Sequence, residues 1–103
     1  MVGNTKTTSE SGEKRVEQPH KVALRRRMSR IAGQVQGITK MIEEDRYCVD
    51  LLVQISAVRS ALNQVGMQLV EDHTRGCVRR AIQAGEGDES IAELMDVLRK
   101  FAR

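Results

Sequence analysis

Three side chains in this sequence have the chemistry to hold a soft metal ion: Cys48, His73 and Cys77. His73 and Cys77 stand one helical turn apart, so on a helix they stack on one face and can share an ion. Two donors do not complete a site, and Cys48 is the remaining soft group. On one continuous helix rising 1.5 Å per residue, Cys48 and His73 are roughly 37 Å apart, so a single chain does not close the site. Antiparallel packing of this helix against that of a second copy does, because the Cys48 end of one then meets the His73/Cys77 end of the other. Two-fold symmetry makes two identical sites. Two thiolates and one imidazole form a soft three-donor set that suits Cu(I) and falls one donor short of the closed tetrahedron of structural Zn²⁺. The expected ligand is Cu(I), one per protomer, bound between subunits. The same residues also have a plainer description, as one buried cysteine and a histidine–cysteine pair on a helix surface.

The elements that must position these groups are helices. From Leu24 the apolar residues fall at Leu24, Met28, Ile31, Val35, Ile38 and Ile42, alternating steps of four and three that mark a helical stripe at coiled-coil spacing. Pro19 suits the entrance of this helix, where its missing N–H is not needed. Gly33 and Gly37 suggest close packing by another backbone. After Glu43-Glu44-Asp45, with Asp45 as the expected N-cap, a second helix carries the rhythm through Cys48, Leu51, Ile55, Val58, Leu62, Val65 and Leu69. The first helix and the second then form an αα-hairpin. The glycines of Ala84-Gly85-Glu86-Gly87-Asp88 are stop signals. Ser90-Ile91-Ala92-Glu93 reads as a capping box opening a short third helix, with Ile91, Leu94, Met95, Leu98 and Phe101 as its buried stripe. The fold class expected is all-α, with three helices of unequal length.

Composition narrows the function. With 103 residues and 2% aromatic content, the chain is about one small module whose aliphatic core gains the rest of its burial by oligomerising. Residues 1–18 lack the apolar content to offset ordering entropy and read as a disordered tail before a folded domain at 19–103. No long apolar run is present, so neither a membrane span nor a secretory signal is expected, and the location expected is cytoplasmic. Two cysteines in a reducing compartment suit metal or redox chemistry better than a disulfide. The net charge is +3, and it multiplies with each subunit of an oligomer. Lys21, Arg25, Arg26, Arg27 and Arg30 crowd the start of the first helix with no acid between Lys21 and Lys40. Such a run is an ordinary solvated face or a phosphate-binding surface.

The segments R-x-x-RIAGQVQGI from Arg27, MIEEDRYCVDLLVQISAV from Met41 and the late H-x-x-x-C at His73 and Cys77 resemble the CsoR/RcnR family of metal-sensing bacterial repressors. The likeness spans roughly Leu24 to Phe101. It implies an all-α protomer whose long antiparallel helices build a four-helix-bundle homodimer, assembling as a dimer of dimers into a homotetramer. Resemblance to the copper-sensing branch implies that Cys48 of one subunit and His73 and Cys77 of the other bind Cu(I), releasing operator DNA and derepressing copper-export genes. The nickel and cobalt branch differs in carrying histidine where this chain has Cys77, and persulfide sensors lack the histidine that His73 supplies. Formaldehyde-responsive members pair the equivalent of Cys48 with an N-terminal proline, where this chain has its long tail. The family also implies that Tyr47 and Glu93 link the ligating histidine to the third helix. That role suits an imidazole that donates its free N–H to an oxygen. Glu93 is equally the third residue of the Ser90 capping box, Tyr47 is equally an interface aromatic, and His20 matches no ligand position.

Given the family, the basic run reads as the DNA surface, with Arg27 and Arg30 foremost and Arg59, Arg75, Arg79 and Arg80 able to extend it. No helix-turn-helix or zinc finger is legible, so contact through charge and DNA shape is expected rather than an inserted recognition helix. Two other readings share the residues: a thiol sensor joining Cys48 and Cys77 through sulfur, and a copper-buffering protein with no nucleic-acid role. An enzyme is least supported, since no orienting third group or oxyanion motif accompanies the Cys–His pair, and no small-molecule substrate is expected.

Overall fold

The computed structural model describes residues 7–8 and 14–102. Two short strands, β1 (Thr7–Thr8) and β2 (Lys14–Arg15), pair antiparallel with Thr7 opposite Arg15 and Thr8 opposite Lys14. Residues 1–6 and 9–13 of the expected tail lie outside the described residues. From there on every regular element is helical, as in an all-α fold: α1 (Lys21–Glu43), α2 (Cys48–His73), a π-helical turn (Thr74–Val78), α3 (Arg79–Gln83) and α4 (Gly87–Phe101). None of the described helices is long and apolar enough to cross a membrane. The chain divides into two compact units, Met1–Gly66 and Met67–Arg103.

In the first unit, α1 begins two residues after Pro19, with the His20 carbonyl accepting the Leu24 N–H at 2.9 Å. The helix ends differently from the sequence expectation. Asp45 has a positive φ of 57°, its N–H reaches the Ile42 carbonyl at 3.1 Å, and the Arg46 N–H reaches the Met41 carbonyl at 3.0 Å. This is a Schellman closure, in which a left-handed residue just past the helix satisfies its last carbonyls. Aspartate is among the few side chains that tolerate that conformation. Asp45 therefore closes α1 rather than capping α2, whose first turn hangs on the Tyr47 carbonyl accepting the Leu51 N–H at 3.2 Å.

The α1 stripe splits into two interleaved sevens. Leu24 and Ile31 are buried and Ile38 is half-buried, packed with Val58, Ala61 and Val65 of α2. Met28, Val35 and Ile42, the alternate members, remain exposed. The same division holds along α2, where Val58 and Val65 are buried while Ile55 and Leu62 are exposed. Cys48, seven residues before Ile55, belongs to the exposed series. Gly33 and Gly37 do not receive a neighbour within the chain either, since a Cβ at each would meet nothing within 4 Å.

In the second unit, α4 packs against α3 and the π turn. The helical path after His73 stops where the glycines signal it: Gly85 has φ 84°, the Gly85 N–H bonds the Ile82 carbonyl at 3.1 Å and the Glu86 N–H bonds the Ala81 carbonyl at 2.7 Å. This is a second Schellman closure. Helix α4 begins at Gly87, three residues before the expected start. Ser90 lies inside it, with its N–H on the Glu86 carbonyl at 3.2 Å, so no capping box forms there and Glu93 is not a cap. Asp88 and Glu89 in the first turn and Arg99 and Lys100 in the last suit the helix dipole. The expected stripe of this helix is only partly covered: Leu94 and Leu98 are half-buried, whereas Ile91, Met95 and Phe101 are exposed.

Candidate metal centre and basic surface

The three soft donors occupy distinct local settings. Cys48 is the first residue of α2, a free thiol open to solvent. His73 is the last residue of α2 and is half-buried. Cys77 is a free, half-buried thiol within the π turn. The expected uninterrupted second helix is thus broken between the two neighbouring donors. A π turn inserts i→i+5 bonding into an α-helix and is a feature frequent at functional sites. The hydroxyl of Thr74, the first residue of the turn, donates to the Val70 carbonyl at 2.9 Å. Side-chain bonds of that kind compete with the helical ladder. Thr39 makes the equivalent bond to Val35 at 3.3 Å inside regular α1, so the threonine alone does not account for the distortion.

Around the pair, Glu71 and Arg75 are ion-paired at 3.2 Å. Gln68 donates through Nε2 to Oδ1 of Asp72 at 3.0 Å, and Asp72 is the one buried charged residue among those described. Asp72 stands seven residues after buried Val65, where polar groups replace hydrocarbon along the apolar stripe of the sequence. Nη2 of Arg80 donates to Sγ of Cys77 at 3.7 Å, a contact that no spacing rule announces.

No group of three His, Cys, Asp or Glu side chains comes together among the described residues. The donor set nevertheless fits a soft monovalent ion chemically, with two thiols and one imidazole and no hard oxygen donor among the three. Tyr47 is strongly exposed at the entry to α2, and Glu93, the seventh residue of α4, is exposed.

The five basic residues at the start of α1 are all exposed, and none is ion-paired among the described residues. At 3.6 residues per turn they do not line up as one row. Arg27 flanks the packed stripe, Arg30 and Arg26 follow round the back, and Arg25 and Lys21 stand on the opposite shoulder beside Met28. Together they form a cationic belt. An open groove of about 390 Å³ on the Lys21/Arg25 shoulder is lined by Gln18, Lys21, Leu24, Arg25, Met28 and Ser29.

Comparison with known proteins bears on both features. The family described as metal-sensitive transcriptional repressor matches residues 20–100. Over 77 residues the chain is 54% identical to the copper-sensing transcriptional repressor CsoR of Bacillus subtilis, covering 75% of this chain and 76% of that one. It is 46% identical over 80 residues to the copper-sensing transcriptional repressor RicR of Mycobacterium tuberculosis, covering 76% and 83%. Among solved structures it is similar to the copper-sensing repressor CsoR with Cu(I) from Geobacillus thermodenitrificans. There the TM-score is 0.79 at 44% identity, over 99% of this chain and 100% of that one. The nickel-responsive regulator InrS is also similar, with a TM-score of 0.69 at 36% identity over 82% of this chain and 96% of that one.

Proposed function

The chain belongs to the metal-sensitive transcriptional repressor family, a family of regulators rather than enzymes, and we propose that it is a Cu(I)-responsive repressor of copper-resistance or export genes. Its metal-free form binds operator DNA in the cytoplasm. Cys48 of one protomer and His73 and Cys77 of its partner would hold one Cu(I) per protomer, which supplies a bond network joining the two chains. The observation that carries this reading is the place of Cys48. It lies in phase with exposed Ile55 and Leu62, on the face of α2 that its own α1 leaves uncovered, where a second copy would pack.

The exposed sevens on both helices, Met28, Val35 and Ile42 on α1 and Ile55 and Leu62 on α2, supply the apolar surface for a homodimer built as a four-helix bundle. A dimer of dimers then sets several cationic belts side by side, and phosphate contacts through Arg27, Arg30 and their neighbours hold the duplex by charge and shape. Drawing His73 and Cys77 toward the partner's Cys48 shifts the assembly to an arrangement of lower DNA affinity. The π turn places this movement at irregular backbone, where a change of pitch costs less than in regular helix. Tyr47 and Glu93 serve as oxygen acceptors around the ligating imidazole.

Anaerobic Cu(I) titration with X-ray absorption, run beside operator binding with and without the metal, tests the proposal. The expected result is a centre of two sulfurs and one nitrogen and a loss of DNA affinity on metal addition. Four-coordination or unchanged DNA affinity refutes it. The His73→Ala variant distinguishes a sulfur sensor, which would keep its response to polysulfide, from a copper sensor, which loses its response to Cu(I).

A further inference from the structure

We propose that Arg80 is a positioning residue for Cys77: its guanidinium holds the sulfur and offsets the excess negative charge of a bis-thiolate centre. The proposal rests on the reading of Cys77 as a metal ligand and deepens it. Nη2 of Arg80 lies 3.7 Å from Sγ of Cys77. A Cβ built on Gly76 would sit 3.6 Å from Nη1 and 3.7 Å from Nη2 of the same arginine. Both nitrogens of the fork therefore flank the space that a side chain at position 76 would enter, and one of them is bonded to the adjacent sulfur.

Arg75 pairs with Glu71, whereas Arg80 has no carboxylate partner among the described residues. Arg80 also follows the π turn, as the second residue of α3. At Cys48, by contrast, the charged residue of the first helical turn is an acid, Asp50. The two sulfurs of the proposed centre are therefore inequivalent: among the described residues a cation is bonded to Cys77 and none to Cys48.

Two thiolates around a monovalent ion leave the centre with a net negative charge. A guanidinium keeps its proton at every accessible pH and donates charge-assisted hydrogen bonds. A sulfur that stays hydrogen-bonded to Arg80 after binding an ion is fixed in direction, with part of the centre's negative charge offset by the guanidinium. The arginine thus raises affinity without entering the coordination sphere.

The test is competition of full-length protein against a chromogenic Cu(I) chelator without oxygen, comparing wild type, Arg80→Gln, Arg80→Lys and Cys77→Ala, with unfolding midpoints measured in parallel. Loss of one charge-assisted hydrogen bond predicts that Arg80→Gln weakens Cu(I) binding by about tenfold. Arg80→Lys, which keeps the charge, recovers most of that loss, and added salt narrows the gap between the two variants. All three readouts are expected with unchanged unfolding midpoints. If Arg80→Gln binds as wild type does while Cys77→Ala loses the metal, the role of Arg80 is overturned and the ligand assignment stands. Lysine performing no better than glutamine also overturns it. If Cys77→Ala retains wild-type affinity, the ligand assignment itself fails.

Discussion

Two substitutions four residues apart on α1 should differ in concentration dependence, one acting at every concentration and the other only when copies assemble. Ile31 is 5% exposed among Leu24, Val58 and Val65. Ile31→Ala removes three carbons worth about 0.8 kcal/mol each, and the residual cavity brings the cost to about 2–4 kcal/mol after the better helix propensity of alanine is allowed for. Val35 is 46% exposed. Within one protomer Val35→Ala forfeits only about half of two carbons, roughly 0.8 kcal/mol, and regains about 0.5 kcal/mol in helix propensity, so it is nearly silent. If a second copy covers Val35, the other, exposed half of the two carbons counts toward dimer affinity, about 0.8 kcal/mol per protomer and so more than tenfold in the dissociation constant of the pair.

Denaturant unfolding at low and high protein concentration, with sedimentation to follow assembly, reads both effects. Ile31→Ala should lower the midpoint at every concentration. Val35→Ala should match wild type when dilute and fall behind it when concentrated. A Val35→Ala protein that assembles as well as wild type would mean that the exposed sevens are not the interface, and the cross-protomer metal centre would lose its support. An Ile31→Ala cost no larger than that of Val35→Ala would show the assignment of inner and outer series to be mistaken.

Other outcomes follow from single positions. A Cβ on Gly87 would lie 2.7 Å from Cγ1 and 3.2 Å from the backbone Cα of Ile82, so Gly87→Ala should destabilise the chain by about 1–2 kcal/mol in thermal or denaturant unfolding although alanine favours helix. Gly33, with open space around it, should behave oppositely, and Gly33→Ala should stabilise the protomer by about 0.5–1 kcal/mol in the same assay. Arg30→Ala should reduce operator affinity similarly on all sequences and lower the slope of log affinity against log salt by about 0.9, as expected for one phosphate contact.

Much of the helical scaffold was legible because heptad spacing and glycine stops are strong local signals. The apolar stripe of α1 from Leu24 and the stop at Gly85 follow from them directly. What was not legible depended on backbone states that more than one residue type can fill. Asp45 is a good N-cap by composition, yet the same short side chain is tolerated in the left-handed conformation that closes α1. Ser90 and Glu93 have the spacing of a capping box, but the helix starts earlier at Gly87, a residue normally read only as a breaker. Cys48, His73 and Cys77 stand out in the sequence by type and order as candidate donors. The π turn that sets His73 and Cys77 apart from a regular helical pair was not, since Thr74, bonded as Thr39 is in regular helix, gives no separate sequence signal.

The division of one apolar stripe into covered and uncovered sevens bears on why the donors are spaced as they are. Leu24, Ile31 and Ile38 engage Val58 and Val65 within the chain, so the hairpin folds on contacts that need no partner. Cys48 falls in the other series, with Ile55 and Leu62, so in the proposed dimer its environment would change when copies associate. A donor on the covered series would be fixed by folding and blind to assembly. A donor on the uncovered series makes ion binding and subunit packing two terms of one equilibrium, which is the linkage a repressor needs if ligand binding at one surface is to alter DNA affinity at another. Moving the thiol one heptad phase, to the half-buried Leu51 position, should therefore preserve the number of donors in the chain while abolishing the coupling. A Cys48→Leu/Leu51→Cys protein that still released DNA on Cu(I) addition would refute this account.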